Sequence, residues 1–383
     1  MKNSTLKLAA PGRALLPSFQ RVKTSPFVRS LRLIPFVFSR FHCFPPSLVD
    51  IELTNRCDLH CKMCWFYGTS GVGDKYQGVE LATNEVFGVI DQIYKHKPQI
   101  YLGGAEPLLR EDLFVILEYI STHGLGVSFS TNGTLFDQKK IENLVTLGVD
   151  QVAFSIDGNA TGHDQKRGEG SFRKATSAIK EISVYRRNQR RKKPVIAVNI
   201  TVTEDNANHL QDAITAIKKA THDGPDIYRI HHLWYVTPKE LAEHQSVIRE
   251  SLGSHAGGAA GHVMMQSHAI DVQALVADIF MLKCQPKVLS FPDFSRQEIK
   301  DYYAENKSMK GRCVAPFSCV VIKPNGDVTF CPDEWIDDYV IGNIRCDRFD
   351  AIWNNAKARL FRKVLYKKKH FSGCKRCSWM YAC

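Results

Sequence analysis

Three cysteines stand in a C-x3-C-x2-C run, Cys57, Cys61 and Cys64, inside the segment ELTNRCDLHCKMCWFYG. The run supplies three thiolates in one loop, not four. A [4Fe–4S] cluster held by four cysteines is closed and mostly carries electrons. One held by three keeps an iron with an open coordination position, where chemistry takes place. The alternative for such a run is a structural zinc knot, with His60 as its fourth ligand. A second cysteine group lies near the C-terminus. Cys313 is followed after twelve residues by Gly326, then after four more by Cys331, and after a gap come Cys374-x2-Cys377 and Cys383. The segment VVIKPNGDVTFC reads as a β-hairpin turning at Asn325-Gly326, with Cys331 at the end of its second strand. Paired C-x2-C ends also suit a zinc ribbon. Cys43 and Cys284 read as buried thiols.

These residues need a frame. From residue 48 onward, apolar strand-like runs at 48–54, 99–103, 125–130, 150–156, 195–203 and 226–235 alternate with helix-like segments. The helical segments lie near 83–96, 110–122, 137–147, 171–190 and 208–221. Six strands alternating with helices argue for a parallel sheet with right-handed crossovers, either doubly wound or a partial barrel. Ligand-like residues follow nearly every strand and decide between the two. The first strand leads to the three cysteines, the second to Gly103-Gly104-Ala105-Glu106-Pro107 and the third to Ser130-Thr131-Asn132-Gly133. The fourth ends in Ser155-Ile156-Asp157-Gly158, the fifth carries Asn199 and Thr201, and the sixth carries His231, His232 and Trp234. An active site assembled at the carboxyl ends of many strands is the mark of a (β/α) barrel. The expected fold is therefore α/β, a partial (β/α)6 TIM-like barrel. The expected domains are a basic N-terminal extension at 1–47, the barrel at 48–235, a helical linking insertion at 236–310 and a small cysteine-rich domain at 311–383. Within the insertion, the GSHAGGAAGH loop at 253–262 is expected over the barrel mouth.

The composition is that of a globular protein, with 44% hydrophobic and 23% charged residues. No apolar run is long enough for a membrane-spanning helix, and the N-terminus lacks a signal-peptide pattern. Clustered cysteines in a reducing compartment favour metal ligation over disulfides, which places the chain in the cytoplasm. The net charge is +12, and the residues before Asp50 hold eight Lys or Arg and no acid. With Phe27, Val28, Leu31, Ile34 and Phe36 among them, they read as an amphipathic arm able to touch a membrane surface, or as an extension packed on the barrel. The basic run YRRNQRRKKP at 185–194 precedes a strand and so belongs to the face opposite the site.

CDLHCKMC, GGAEPL, STNG and SIDG at successive strand ends resemble the radical S-adenosylmethionine (SAM) superfamily over roughly residues 48–235. The resemblance implies a cluster on Cys57, Cys61 and Cys64 whose open iron is chelated by the amine and carboxylate of SAM. It also implies reductive cleavage of SAM to a 5′-deoxyadenosyl radical that abstracts hydrogen from an unactivated C–H bond. Gly103, Gly104 and Glu106 match the motif that meets the methionine amine, with Ala105 in place of its second glycine. Ser130, Thr131, Asn132, Ser155 and Asp157 offer groups suited to ribose or the methionine carboxylate. Arg167 is a partner for that carboxylate, and Phe66 with Tyr67 would flank the adenine. For each of these residues taken singly, a helix cap or turn role is the plain alternative.

The C-terminal cysteines resemble the SPASM/twitch extension, which holds auxiliary [4Fe–4S] clusters. Because the chain stops at Cys383, the one-cluster twitch form is expected, with ligands Cys313, Cys331, Cys374 and Cys377. Cys319 or Cys383 is an alternative ligand, or a thiol hydrogen donor, and Cys346 is left over. Asp333, in CPDEW, is the candidate general base. An auxiliary cluster implies oxidation by electron acceptance, while a hydrogen donor implies epimerisation. The substrate expected is a small carbohydrate-type molecule, because the 47 residues before the barrel read as too short and too poor in strand pattern for a leader-peptide-binding domain, with a ribosomally made peptide as the alternative. An electron donor such as flavodoxin or ferredoxin is implied, and no nucleic acid is expected. A reading of another class is a cysteine-rich electron carrier or zinc-dependent nucleic-acid-binding protein, which leaves the six ligand-bearing strands unexplained.

Overall fold

The computed structural model describes residues 34–76, 78–222, 224–264, 270–304 and 311–382. Ten strands form one sheet: β1 Leu48–Glu52, β2 Gln99–Gly103, β3 Val127–Thr131, β4 Gln151–Ser155, β5 Val195–Val202, β6 Ile227–His232, β7 Val288–Phe291, β8 Cys319–Ile322, β9 Asp327–Thr329 and β10 Gly342–Asn343. The order is β10-β9-β8-β1-β2-β3-β4-β5-β6-β7. From β8 through β1 to β7 every pairing is parallel, and β9 and β10 continue antiparallel at one edge. The linear order leaves two edges, so the barrel is partial, as expected.

Alternation along each strand sorts the residues. On β1, Val49 and Ile51 join the main core under the helices, whereas Leu48 packs with Cys319 and Val321 of β8 on the inner face. Asp50 and Glu52 share that inner face with Leu48. The helices Thr83–Ile93, Leu113–Thr122, Gln138–Thr146, Ser171–Asn188 and Leu210–Thr221 lie where the sequence pattern puts them. Each buries an apolar stripe such as Val86, Val89, Ile90 and Ile93.

Three features depart from the sequence pattern. The segment at 236–310 holds more than helices: Val272–Leu282 leads into β7, which adds a seventh parallel strand beside β6. Its four residues are too few to show a period. A short helix, Ala160–Arg167, is capped by Asn159 but carries almost no apolar residue to reveal it. Most consequentially, β8 pairs directly with β1, Leu48 opposite Cys319, so the cysteine-rich region and the barrel share one sheet.

The basic arm up to residue 33 lies outside the described residues. The segment leading into β1 is strapped to the C-terminal helices: the Cys43 N–H donates to Asn354 Oδ1 at 2.8 Å, and Trp353 Nε1 donates to the Phe44 carbonyl at 2.8 Å. Cys43 is buried as expected, but Cys284, two residues past the end of the helix Val272–Leu282, is exposed. The run at 185–194 sits at the amino end of β5, where Arg186 pairs with Asp226 at 2.6 Å and Lys193 pairs with Asp150. No described helix is long and apolar enough to cross a membrane.

Candidate active site

The loop after β1 presents its three sulfurs to N–H donors. Cys57 Sγ accepts from Leu59 N–H at 3.4 Å, and Cys64 Sγ accepts from the N–H groups of Phe66 and Tyr67, each at 3.4 Å. Cys61 Sγ receives Arg167 Nη1 at 3.7 Å. At Cys57 and Cys61 these donors work against the burial that raises both thiols, and three sulfurs on one loop, each with a donor, fit a three-thiolate cluster. The loop is tight: a Cβ on Gly68 would lie 2.3 Å from the Cys64 carbonyl. Exposed His60 packs its ring against Tyr67 at 5.2 Å. Among the described residues no three His, Cys, Asp or Glu side chains gather around a single metal-ion position. The ligands of a four-iron cluster stand apart around a cube instead.

Around this loop, several expected ligand contacts are instead buttresses. Glu106 is fully buried. Its Oε1 accepts from Thr131 Oγ1 at 2.9 Å and Leu108 N–H at 3.0 Å, and its Oε2 accepts from Asn132 N–H at 2.8 Å. Burial pushes its carboxyl up to about 7 against the pull of these bonds. Thr131 and Glu106 are thus spent on each other and show no surface to a ligand. Asn132, also buried, donates to Asp58 Oδ1 at 2.7 Å and fixes the cysteine loop. Asp157 is fully buried between Arg167 Nε at 2.6 Å and Thr201 N–H at 2.7 Å. Phe66 packs edge-on between Trp65 and Tyr67 and is 5% exposed, so it fills the loop interior and does not offer a face to adenine.

The surfaces left open are Gly104, Ala105, Ser130, Ser155 and Arg167. Gly104 has φ +104°, and a Cβ there would lie 2.4 Å from the Thr54 carbonyl. Only glycine holds this turn without strain. Ser130 accepts from the Tyr101 hydroxyl at 2.7 Å inside the barrel. Burial opposes the charge on Arg167, but Asp157 and then the neighbouring thiols more than compensate, and its guanidinium is held above its ordinary range.

Sequence reading singled out Asp333 but missed the other acids of the inner wall. Asp50 and Glu52 on β1 meet Asp333 and Glu334 from the loop after Cys331, with Lys323 as the nearby cation, ion-paired to Glu334. Burial, then Glu334, pushes Glu52 up to about 8, with Lys323 pulling the other way. Burial, then Glu52, holds Asp50 well above the ordinary carboxyl range. Burial, then Glu334, raises Asp333 to about 7. The signal available in the sequence was two acids at i and i+2 on one face of an apolar strand. Asp333 and Glu334 are both left-handed, φ +51° and +58°. Two consecutive non-glycine residues in that region cost about 1–3 kcal/mol each and mark a held conformation.

His262, also missed, holds that conformation. Its Nε2–H donates to the Asp333 carbonyl at 2.7 Å, and its ring stacks on Trp335 at 4.3 Å and on Trp65 at 5.4 Å. Burial lowers its pKa to about 4, so it is neutral at physiological pH. The glycine-rich loop thus clamps the cysteine loop to the C-terminal region.

Cys313, Cys331, Cys374 and Cys377 line one cavity, walled by Phe330, Trp335, Phe371 and Trp379. Four thiols facing one apolar chamber fit a fully ligated cluster. Cys319 is not on that wall. It lies 1% exposed on the inner face, with Cys313 and Cys377 on one side and Asp50 on the other. Cys346 is exposed, and Cys383 lies outside the described residues.

The pattern of the radical SAM superfamily matches residues 51–217, and that of the SPASM iron-sulfur cluster-binding domain matches 313–378, together more than half of the chain. The chain belongs to the SPASM-bearing radical SAM superfamily. Among its relatives, an AdoMet-dependent heme synthase of Methanosarcina barkeri is 27% identical over 348 residues, covering 88% of this chain and 90% of the relative. Mycofactocin maturase MftC of Mycobacterium ulcerans is 25% identical over 324 residues, covering 83% of this chain and 77% of the relative. SuiB of Streptococcus suis, solved bound to S-adenosylmethionine, aligns with a TM-score of 0.59 at 12% identity, over 85% of this chain and 69% of SuiB, a likeness of fold. This radical SAM protein is an enzyme whose cofactors are a [4Fe–4S] cluster and SAM, with auxiliary iron–sulfur binding in its SPASM domain.

Proposed function

We propose that this radical SAM enzyme oxidises an unactivated carbon–hydrogen bond of a peptide, with one auxiliary cluster on Cys313, Cys331, Cys374 and Cys377. The observation that carries the oxidative reading is the acidic wall between the two cysteine groups, with Asp333 two residues beyond Cys331 and beside Asp50 and Glu52. When bound, the first cluster and SAM supply the radical that removes one hydrogen atom, and the auxiliary cluster supplies an acceptor for the substrate's second electron. The chain's own residues do the rest. Arg167, aimed by Asp157, pairs with the SAM carboxylate. The open backbone at Gly104 and Ala105 receives the methionine amine, and Ser130 and Ser155 face the ribose side. Asp333 takes the proton that the substrate releases when it gives up its electron. A flavodoxin- or ferredoxin-type donor supplies the starting electron, which fits a cytoplasmic setting.

The peptide assignment draws on the mycofactocin maturase relatives, and neither that maturase nor the heme synthase is named for a carbohydrate. A non-peptide small molecule is the second reading, favoured by the likeness to the heme synthase. Cys319, beside Asp50 on the inner face, is the hydrogen donor if the outcome is redox-neutral.

The test is anaerobic reconstitution, then reduction with SAM and candidate precursor peptides encoded near the gene. The expected result is 5′-deoxyadenosine, about eight irons per chain, and a product lighter than the peptide by two hydrogen atoms. A product of unchanged mass in ordinary water that gains one deuterium in deuterated water moves the assignment to epimerisation through Cys319. Bound zinc with intact SAM overturns the reading.

A further inference from the structure

Arg229 stands on β6 with its guanidinium inside the barrel and is 3% exposed. Nη1 donates to Asn199 Oδ1 at 3.1 Å and Nη2 to Gln151 Oε1 at 3.4 Å. Both acceptors are neutral amides, and the Nε–H has no acceptor among the described residues. Among the other arginines buried in the described residues, only Arg362 likewise lacks a carboxylate, and one Nη each of Arg362 and Arg376 is also unpartnered. Arg110, Arg167 and Arg376 each hold a carboxylate at 2.5–2.6 Å, and Arg362 donates to the Pro316 carbonyl and lies over the Trp353 ring. A buried charge without a counterion is costly to fold around, and a guanidinium fork matches a carboxylate or phosphate edge.

The surroundings point the same way. His231 Nε2, two residues along the same face, has no partner among the described residues either. Across the barrel, Asp50 Oδ1 and Ser128 Oγ are buried and unpartnered. Tyr101 stands between, near enough to feel both Asp50 and Arg229, yet Asp50 and Arg229 do not pair with each other. The register sets the depth. Asn199 lies opposite Ser155 on one side and Arg229 on the other. Two strand spacings put the Arg229 backbone roughly 10 Å from that of Ser155 at the SAM site, and the guanidinium reaches on to Gln151, four residues earlier on β4, so it lies at the floor of the barrel, within the span of an extended small molecule or residue side chain.

We propose that Arg229, held by Asn199 and Gln151 and flanked by His231, is an oxyanion-binding point of the substrate cavity, so that the substrate carries a carboxylate or phosphate group that docks on β6. In a peptide this group is a side-chain or terminal carboxylate, or a phosphoryl group. The inference rests on the reading that substrate enters the barrel beside SAM.

The test uses the reconstituted full chain with saturating SAM, so that the carboxylate partner Arg167 is occupied. Melting temperature is followed against propionate and against inorganic phosphate, with chloride at matched ionic strength as control. A saturable rise with one probe and not with chloride is expected, and the responding probe identifies the group. Arg229→Gln abolishes the rise and Arg229→Lys reduces it. Asn199→Asp, which places a carboxylate on the guanidinium without changing its size, raises the starting melting temperature and removes the response. If neither probe acts beyond chloride, or if Arg229→Gln keeps the wild-type response, the inference is overturned. A merely structural arginine gives a lower melting temperature with the response intact. Formation of 5′-deoxyadenosine by the wild type, scored on the same sample, tests the radical SAM reading separately.

Discussion

Glu52 carries a titration that can be read in solution. Its carboxyl is pushed up to about 8 from an ordinary value of 4.5, chiefly by burial and then by Glu334. The folded chain therefore keeps a proton that the unfolded chain has released, and stability falls as pH rises between about 5 and 8. Asp50 and Asp333, raised likewise, add to the same slope. The melting temperature is expected to drop across that range, and Glu52→Gln to flatten part of the drop; an unchanged slope in the variant would show that the carboxyl is ordinary. Asp157 offers a second check. Because it aims Arg167, Asp157→Asn is expected to weaken SAM binding roughly tenfold, about 1.4 kcal/mol, as measured by calorimetry. Equal affinity would remove Asp157 from the site. At this scale the cysteines were legible because their spacing lies within single loops. Glu106, Thr131 and Asp157 were found, but their work as buttresses was hidden, since a sequence does not show which oxygen is already bonded. Asp50, Glu52 and His262 were not found. Two of them read as strand residues and the third as part of a glycine-rich loop.

The elements repeat this division. Strands and helices with a full apolar period were readable to within a few residues, as with β2 at Gln99–Gly103. The four-residue β7 and the polar helix Ala160–Arg167 were not, because the first is too short for a period and the second buries little. That helix matters, since it delivers Arg167 at its last turn. The turn after β2 gives a sharp test. Gly104→Ala sets a Cβ against the Thr54 carbonyl at φ +104°, a placement costing on the order of 1–3 kcal/mol. A lower melting temperature together with weakened SAM binding is expected. Wild-type behaviour in both would mean that the turn relaxes freely.

For the whole molecule, the two cysteine groups are separable in chemistry but not in architecture. Replacing Cys374 and Cys377 together with serine is expected to halve the iron content, to about four per chain. SAM cleavage should survive while substrate oxidation is lost, scored by 5′-deoxyadenosine and product mass. Loss of all iron would show that the first cluster depends on the second. The sequence suggested an appended domain because its cysteines cluster apart from the barrel's. Pairing partners more than 260 residues apart leave no local trace, so the β1–β8 ladder, Leu48 to Cys319, was invisible. That ladder bears on how the protein is made. The first barrel strand leaves the ribosome about 270 residues ahead of β8, the neighbour it pairs with. Until β8 emerges, one side of LVDIE is an unpaired edge, open to pairing with other chains. The cysteine loop just behind it gains the support of that ladder only once β8 has emerged and paired.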